Sequence, residues 1–308
     1  MNLRIGDYGR ALRLPFAVAS ALAYIYGALF FGTYFDAINF ILGLTATVLT
    51  HLSANVINDY ADSKSGADWF DRTFYGFFGG TKLIQEGRLS ESFYLKLSLA
   101  LAATAEAAVI VLSWRLRLWW VFGLFQAILL IGWLYSCGPV RFAYRRMGEI
   151  VIFLLFGPAC VMGGYFIQTG VFPDIRSAVL SLPFGFFTTA ILFANEIPDA
   201  PSDSLAGKQT WVGLFGTRGS PRFFLTLHTL GYASILAAFV LGYTGILSLA
   251  VPVLFWFASS RVSAHLQEFT GNKVRLVESS AKTIGIATGV SLVLICDRLA
   301  TLLFRLFR

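Results

Sequence analysis

Residues 37–68 read AINFILGLTATVLTHLSANVINDYADSKSGAD. The segment 37–57 contains no Asp, Glu, Lys or Arg, and about 20 such residues are what an α-helix needs to cross the hydrocarbon core of a bilayer. Directly after it the character inverts, with Asn58, Asp59, Asp62 and Asp68 following Asn55 within a few turns. The segment predicts a membrane-spanning helix that delivers a set of oxygen ligands to one membrane face. Comparable apolar stretches recur at about 11–31, 92–113, 118–135, 149–168, 177–197, 222–242, 245–260 and 283–304, which makes nine with this one. The 308-residue chain is 56% hydrophobic and only 13% charged, with a mean hydropathy of +0.69, whereas soluble domains are roughly 25% charged. Backbone polar groups cannot go unpaired in lipid, so runs of this length are helices. A barrel would instead show short alternating segments. The expected fold is all-α, with about nine transmembrane helices around a central cavity and the whole chain, 1–308, as one domain.

Charge and cysteine usage exclude several functions. The formal net charge is +7, but the basic residues are sorted by side. With nine spans, seventeen Lys and Arg fall on the side of the N-terminus and five on the other. The positive-inside rule then places the N-terminus in the cytoplasm and the C-terminus outside, in a cell's inner membrane. Arg115 and Arg117 are the exception, on the sparsely charged side. The basic excess is topology, so no nucleic-acid partner is expected. Cys137, Cys160 and Cys296 are far apart with no paired spacing, which argues against a disulfide framework and a zinc site. The opening MNLRIGDYGRALRLPFAV shows no small-residue cleavage site behind a short apolar core, and reads as a retained first helix.

A second acidic cluster, ANEIPDAPSDSLAGK, follows the run 177–197 and carries Asn195, Glu196, Asp199 and Asp203. Asn55, Asp59 and Asp62 stand at i, i+4 and i+7, and Asn195, Asp199 and Asp203 at steps of four. Each set therefore crowds one helical face. Pro198 and Pro201 are expected to end the second helix inside the cluster. The connections 58–91 and 196–221 read as long cap loops on the cytoplasmic face. Carboxylates crowded at a helix C-terminus repel one another and oppose the macrodipole, which a multivalent cation relieves. All-oxygen ligands favour Mg²⁺, which bridges carboxylates to phosphates. Lys64, Arg72, Lys82, Arg141, Arg145 and Lys208 are the candidate basic contacts to a diphosphate. The 30 Phe residues suit a cavity for an isoprenoid chain. His51, His228 and His265 show no ligand spacing and read as structural. Asp297 and Arg298 point apart on one helix and read as separate polar contacts, and Gly157-Pro158 reads as a close-packing kink.

NDYADSKSGAD (58–68) resembles the first aspartate motif of the UbiA-type intramembrane prenyltransferases, and NEIPDAPSD (195–203) with the following Gly-Lys is similar to their second. The stretches GGTKLIQEGRLS (79–90) and LYSCGPVRFAYRRMGEIVIFLLFGPACVMGGYFIQTG (134–170) are similar to the branch that prenylates 1,4-dihydroxy-2-naphthoate in menaquinone biosynthesis. The six-residue step from Asp62 to Asp68 also fits that branch. The resemblance implies a helical bundle opening laterally to membrane lipid, a polyprenyl diphosphate donor and an aromatic acceptor. It implies that Asn58, Asp59, Asp62 and Asp68 are first-motif metal or diphosphate positions and Asp199 and Asp203 those of the second, with Mg²⁺ held by Asp59, Asp62, Asp199 and Asp203; Asp68 is also the candidate base for the acceptor. Asn55, Asn58 and Asn195 match polar positions of the motifs and, with Tyr135, Arg141, Tyr144 and Arg145, are expected to contact substrate or diphosphate. Other acceptors remain open at this point: 4-hydroxybenzoate, homogentisate, a chlorophyllide or a glycerol-phosphate lipid. A cation-coupled transporter also remains, because repeated broken helices with acidic residues serve ion coupling too. Prenyl chain length and oligomeric state are not legible in the sequence.

Overall fold

The computed structural model describes residues 5–32 and 34–306, and among these all regular structure is helical. Arg4 and Arg308, counted above for topology, lie outside the described residues. A short α1 (Ile5–Ala11) leads into α2 (Leu14–Ala28) through Arg13, whose φ of 50° turns the chain. The opening run is thus α2, started by Pro15, whose fixed φ and missing donor suit a first turn. α3 (Ala37–Ser65) is capped by Asp36, which accepts from the Asn39 N–H, and ends on Gly66 at φ 86°. That left-handed φ is glycine's to adopt. α4 (Glu91–Leu116) is capped by Ser90, and α5 is Trp119–Leu134. α6 (Gly148–Leu154) and α7 (Cys160–Thr169) form one rod interrupted by a π-helical turn, Leu155–Ala159. Pro158 lies in that turn and has no N–H to give, so the hydrogen-bond register slips there. α8 (Ile175–Leu205), α9 (Trp211–Val240), α10 (Ala250–Glu268) and α11 (Lys273–Leu306) complete the bundle.

Seven helices among the described residues are long and apolar enough to cross a membrane, counting α6 and α7 as one rod. α2 and α5, at the positions of the first and fourth expected spans, are apolar but shorter. At about 1.5 Å per residue they fall short of a full hydrocarbon crossing. Side chains facing away from the bundle are apolar, as with Ile41, Val253 and Phe304, 59, 79 and 76% exposed. Such a surface belongs in lipid.

Close backbone contact binds the rods. A Cβ at Gly27 of α2 would lie 2.0 Å from the Val161 carbonyl oxygen, and one at Gly164 of α7 would lie 2.3 Å from that of Tyr24. Glycine on both sides is what lets α2 and α7 touch backbone to backbone. Gly157 makes a similar approach to Ser181 and Gly185 of α8, the close packing expected of the Gly157-Pro158 pair. The intramembrane charges are structural. Asp297 accepts from the Gly245 and Ser248 N–H groups at 2.7 and 3.2 Å, and Arg298 donates to the Leu29 carbonyl at 3.0 Å. Arg115 donates to Asn39 at 2.8 Å and pairs with Asp36 at 3.3 Å, clamping the start of α3. Its place on the sparsely charged side is therefore an ion pair and not a topology signal.

The two expected cap loops are shorter than the sequence implies. α3 runs on through Asp59 and Asp62 to Ser65, and α8 through Pro198 and Pro201 to Leu205, leaving 66–90 and 206–210 outside the long helices. Each proline forfeits one backbone donor, and tertiary bonds to Asp199 and Asp203, described below, hold the last turns of α8 together.

Candidate active site

α2, α3, α5, α6–α7, α8 and α11 enclose one cavity of about 390 Å³. Its walls are apolar at depth, with Phe125, Ile128, Phe156, Phe184 and Leu294, and its mouth carries both acidic clusters. The face that α3 turns to the cavity holds Asn55, Asn58 and Asp62; the face of α8 holds Asn195, Glu196, Asp199 and Asp203. The segment 66–90 folds over the mouth and adds Asp68, Asp71, Gly79, Gly80 and Lys82.

Four cations tie these carboxylates together. Lys208 Nζ lies 2.9 Å from Asp62 Oδ2 and 3.4 Å from Asp203 Oδ1, so one ammonium joins the two clusters. Burial alone would lower the Lys208 pKa, but Asp62 and Asp203 raise it well above the ordinary value and hold the charge in place. Lys82 Nζ donates to Asp68 Oδ1 at 2.9 Å. Burial, with the nearby Asp62 and Asp59 carboxylates, pushes the Asp68 carboxyl up to about 6, and Lys82 opposes this. Lys273, at the start of α11, donates to Asp71 at 2.7 Å and stands 4.0 Å from Asp199 Oδ1. Arg13 ion-pairs with Asp59. The Thr81 hydroxyl donates to the other Asp59 oxygen at 2.6 Å.

Backbone and amide groups complete the arrangement. Gly79 N–H donates to Asp199 Oδ2 at 2.7 Å. Gly80 has φ 77°, and a Cβ there would sit 2.8 Å from both Asp68 carboxylate oxygens. Asn58 donates to Asp62 at 3.1 Å and to Ser136 at 2.6 Å, and the Tyr144 hydroxyl donates to Asp62 Oδ1 at 3.2 Å. Tyr135 lines the cavity above them.

The remaining expected contacts stand elsewhere. Asp59 is buried but faces Arg13 and Thr81 and is not among the cavity-lining residues. One position before Asp59 and three after it, the helix turns Asn58 and Asp62 inward, so Asp59 points sideways. Lys64 is exposed and pairs with Glu91 at 2.6 Å. Arg72 is exposed beside the Trp69 ring, 5.0 Å from its centroid. Arg141 stacks on Tyr144 at 3.9 Å. Arg145 is exposed and reaches only the Pro139 carbonyl at 3.4 Å. Lys64 lies on the last turn of α3, Arg72 in the segment 66–90, and Arg141 and Arg145 in the turn between α5 and α6, so nearness in sequence to the clusters does not fix where each side chain points. Conversely Arg13, Asp71 and Lys273 belong to the mouth and were not singled out by the sequence. The signal for Arg13 and Lys273 was their side of the membrane, shared with both clusters.

Among the described residues no three Asp, Glu, His or Cys side chains are gathered tightly enough to hold a metal ion as they stand. The donor set nonetheless fits a hard cation. Asn195 Oδ1, Glu196 Oε2 and Asp199 Oδ1 are buried oxygens on α8 with no hydrogen-bond partner. An unmet buried acceptor costs about 1–3 kcal/mol. Among the described residues, seven carboxyl groups at or beside the mouth (Asp59, Asp62, Asp68, Asp71, Glu196, Asp199 and Asp203) are tied by four cations, Arg13, Lys82, Lys208 and Lys273. The surplus of carboxyl oxygens over cations and the all-oxygen ligands suit Mg²⁺.

The model of the UbiA prenyltransferase family matches residues 14–270. A 1,4-dihydroxy-2-naphthoate octaprenyltransferase of Bacillus subtilis is 26% identical over 67% of this chain and 64% of its own length. The chain thus spans just under two thirds of that relative. An enzyme of the same name from Mycobacterium tuberculosis is 26% identical over 84% of this chain and 82% of its own. The solved structure of a UbiA homolog from Archaeoglobus fulgidus bound to DMAPP and Mg²⁺ superposes with a TM-score of 0.65 and 18% identity. It covers 94% of this chain and all of the other. A family model spanning most of the chain, over a bundle of that same fold, makes this protein a member of the UbiA prenyltransferase family.

Proposed function

We propose that this membrane transferase moves a polyprenyl group from its diphosphate to an aromatic acceptor in a Mg²⁺-dependent reaction, with 1,4-dihydroxy-2-naphthoate as the acceptor. The observation that carries the reading is the convergence at Lys208: one ammonium bonds Asp62 of α3 and Asp203 of α8 at the mouth of an apolar cavity. The unpartnered oxygens of α8 support a cation there, and a fold relative solved with DMAPP and Mg²⁺ supports its identity. The named activity of the bacterial relatives supports the naphthoate acceptor.

Asp62, Asp199 and Asp203 would hold the metal, with Asp68 beside them, and Mg²⁺ bound there would supply positive charge that makes the diphosphate a good leaving group. The chain's own groups do the rest. Lys208, Lys82 and Lys273 are already at the mouth, each on a carboxylate, and an arriving diphosphate offers them a second anion of higher charge. Asp59 and Thr81 act at one remove, holding Arg13 against the cavity wall. As the allylic C–O bond breaks, its electron pair leaves with the diphosphate oxygen, where these cations stabilise the developing charge. The apolar walls keep water from the allylic cation, and the electron-rich ring attacks it, forming the C–C bond. Loss of a proton or CO₂ restores the ring. By charge asymmetry the mouth faces the cytoplasm, across a cell's inner membrane.

Purified protein supplied with a polyprenyl diphosphate and dihydroxynaphthoate should release diphosphate only with Mg²⁺, and Asp62→Asn should do so about 10²–10³-fold more slowly. Inactivity towards every aromatic acceptor, with ion flux into protein-containing vesicles, would point to the transporter instead.

A further inference from the structure

The steps above leave His51 unused, and its sequence spacing gave it no role. In the structure it lines the same cavity from α3, one turn deeper than Asn55. Its ring is fixed from two sides. It meets the Phe156 ring edge-on, centroids 4.7 Å apart at 85°, and its Nδ1 lies 2.9 Å from Ser20 Oγ. Ser20 is 2% exposed, and its hydroxyl donates to the Ala17 carbonyl at 3.0 Å. A serine hydroxyl has one proton to give. Assigning that proton to Ala17 makes Ser20 Oγ the acceptor from His51, which puts the ring proton on Nδ1 and leaves Nε2 a lone pair.

One turn towards the mouth, Asn55 Nδ2 is buried without a hydrogen-bond partner. Residues at i and i+4 have Cβ atoms about 6 Å apart on one face. The deep wall of α3 therefore offers an acceptor and a donor side by side, among apolar neighbours. A phenolic hydroxyl answers both, donating to Nε2 while its oxygen accepts from Nδ2. An ether, a carboxylate or a diphosphate oxygen answers only the donor and leaves the imidazole lone pair unmet.

We infer that His51 and Asn55 form the subsite for the aromatic acceptor, with His51 Nε2 receiving the hydrogen bond of a ring hydroxyl and Ser20 locking the tautomer that makes this possible. The subsite presupposes the prenyl-transfer reading above and moves Asn55 from the diphosphate to the acceptor. Along α3, Asn55 stands about 10 Å from Asp62, which leaves room for the allylic carbon and the ring between diphosphate and hydroxyl. Accepting that hydrogen bond raises electron density on the ring carbons that attack.

The test compares 1,4-dihydroxy-2-naphthoate with its two mono-O-methyl ethers on wild-type, His51→Leu and Ser20→Ala full-length protein, measuring KM and kcat for both substrates. Wild type should discriminate against one ether by about tenfold in kcat/KM. His51→Leu should lose a similar factor on the dihydroxy acceptor, cease to discriminate against that ether, and keep its KM for the polyprenyl diphosphate. Ser20→Ala should discriminate less than wild type, again without change in the diphosphate KM. Unchanged discrimination in His51→Leu, or a parallel rise in the diphosphate KM, would overturn the subsite and leave the prenyl-transfer reading standing. If His51→Leu does not fold, wild-type discrimination by Ser20→Ala overturns it. Wild type inert towards all aromatic acceptors would remove both readings.

Discussion

Asp62 is the residue on which most bonds at the mouth converge: Asn58, Tyr144 and Lys208 all reach its two oxygens. Asp62→Asn keeps the shape and removes the charge that Lys208 and a metal require. We expect turnover to fall by about 10²–10³-fold with the helical circular-dichroism signal intact. Asp59→Asn, by contrast, acts through Arg13, and the same assay should show a smaller loss that appears mainly as a raised KM for the diphosphate substrate. Equal losses in the two variants would contradict the division of roles drawn from their orientations. Gly80 belongs to this scale as well. A methyl group there is strained by φ 77° and meets the Asp68 carboxylate, so Gly80→Ala should cost about 1 kcal/mol or more and weaken substrate binding, read from thermal midpoint and KM together. The residue types of this site were legible because carboxylates at the end of an apolar run have so few uses. Their directions were not: Asp59 and Asp62 share one helical stripe, and only the angle at which α3 enters the bundle separates a cavity-facing oxygen from one facing Arg13.

At the level of elements, the apolar runs announced every long helix, because lipid leaves the backbone no other way to satisfy its hydrogen bonds. Where helices stop was harder. Asp59 and Asp62 at the end of α3 and the prolines of α8 argued for early ends, yet both helices continue, since Arg13, Lys208 and Gly79 supply from other elements what the local sequence lacks. Lys273 makes the corresponding tie for α11. Lys273→Met should release the segment 66–90 from α11 and raise the KM for the prenyl diphosphate about tenfold; an unchanged KM would show that α11 takes no part in closing the mouth. The α2–α7 crossing depends on glycine at both surfaces. Gly164→Leu should therefore lower stability by about 3 kcal/mol, seen as an earlier midpoint of heat-induced aggregation in detergent, whereas Gly163→Leu, whose Cβ meets nothing within 4 Å, should be near neutral.

For the whole molecule, the arrangement is an apolar chamber closed at one end by a charged mouth, which in the proposed reaction would keep donor chain and ring away from water. Composition made the membrane and the helices legible, and the paired motifs made the mouth legible. The proposed acceptor end was not, because a histidine and an asparagine one turn apart have no signature until Ser20 of another helix stands against the imidazole. The central claim is that α3 and α8 bring their carboxylates around one cation and one diphosphate. Its most direct test is a structure with Mn²⁺ and a non-cleavable prenyl thiodiphosphate, read by anomalous scattering. The expected result is manganese bounded by Asp62 on one side and Asp199 and Asp203 on the other, with the thiodiphosphate between them. Manganese absent from the mouth, or held by one helix alone with the diphosphate elsewhere, would contradict the account.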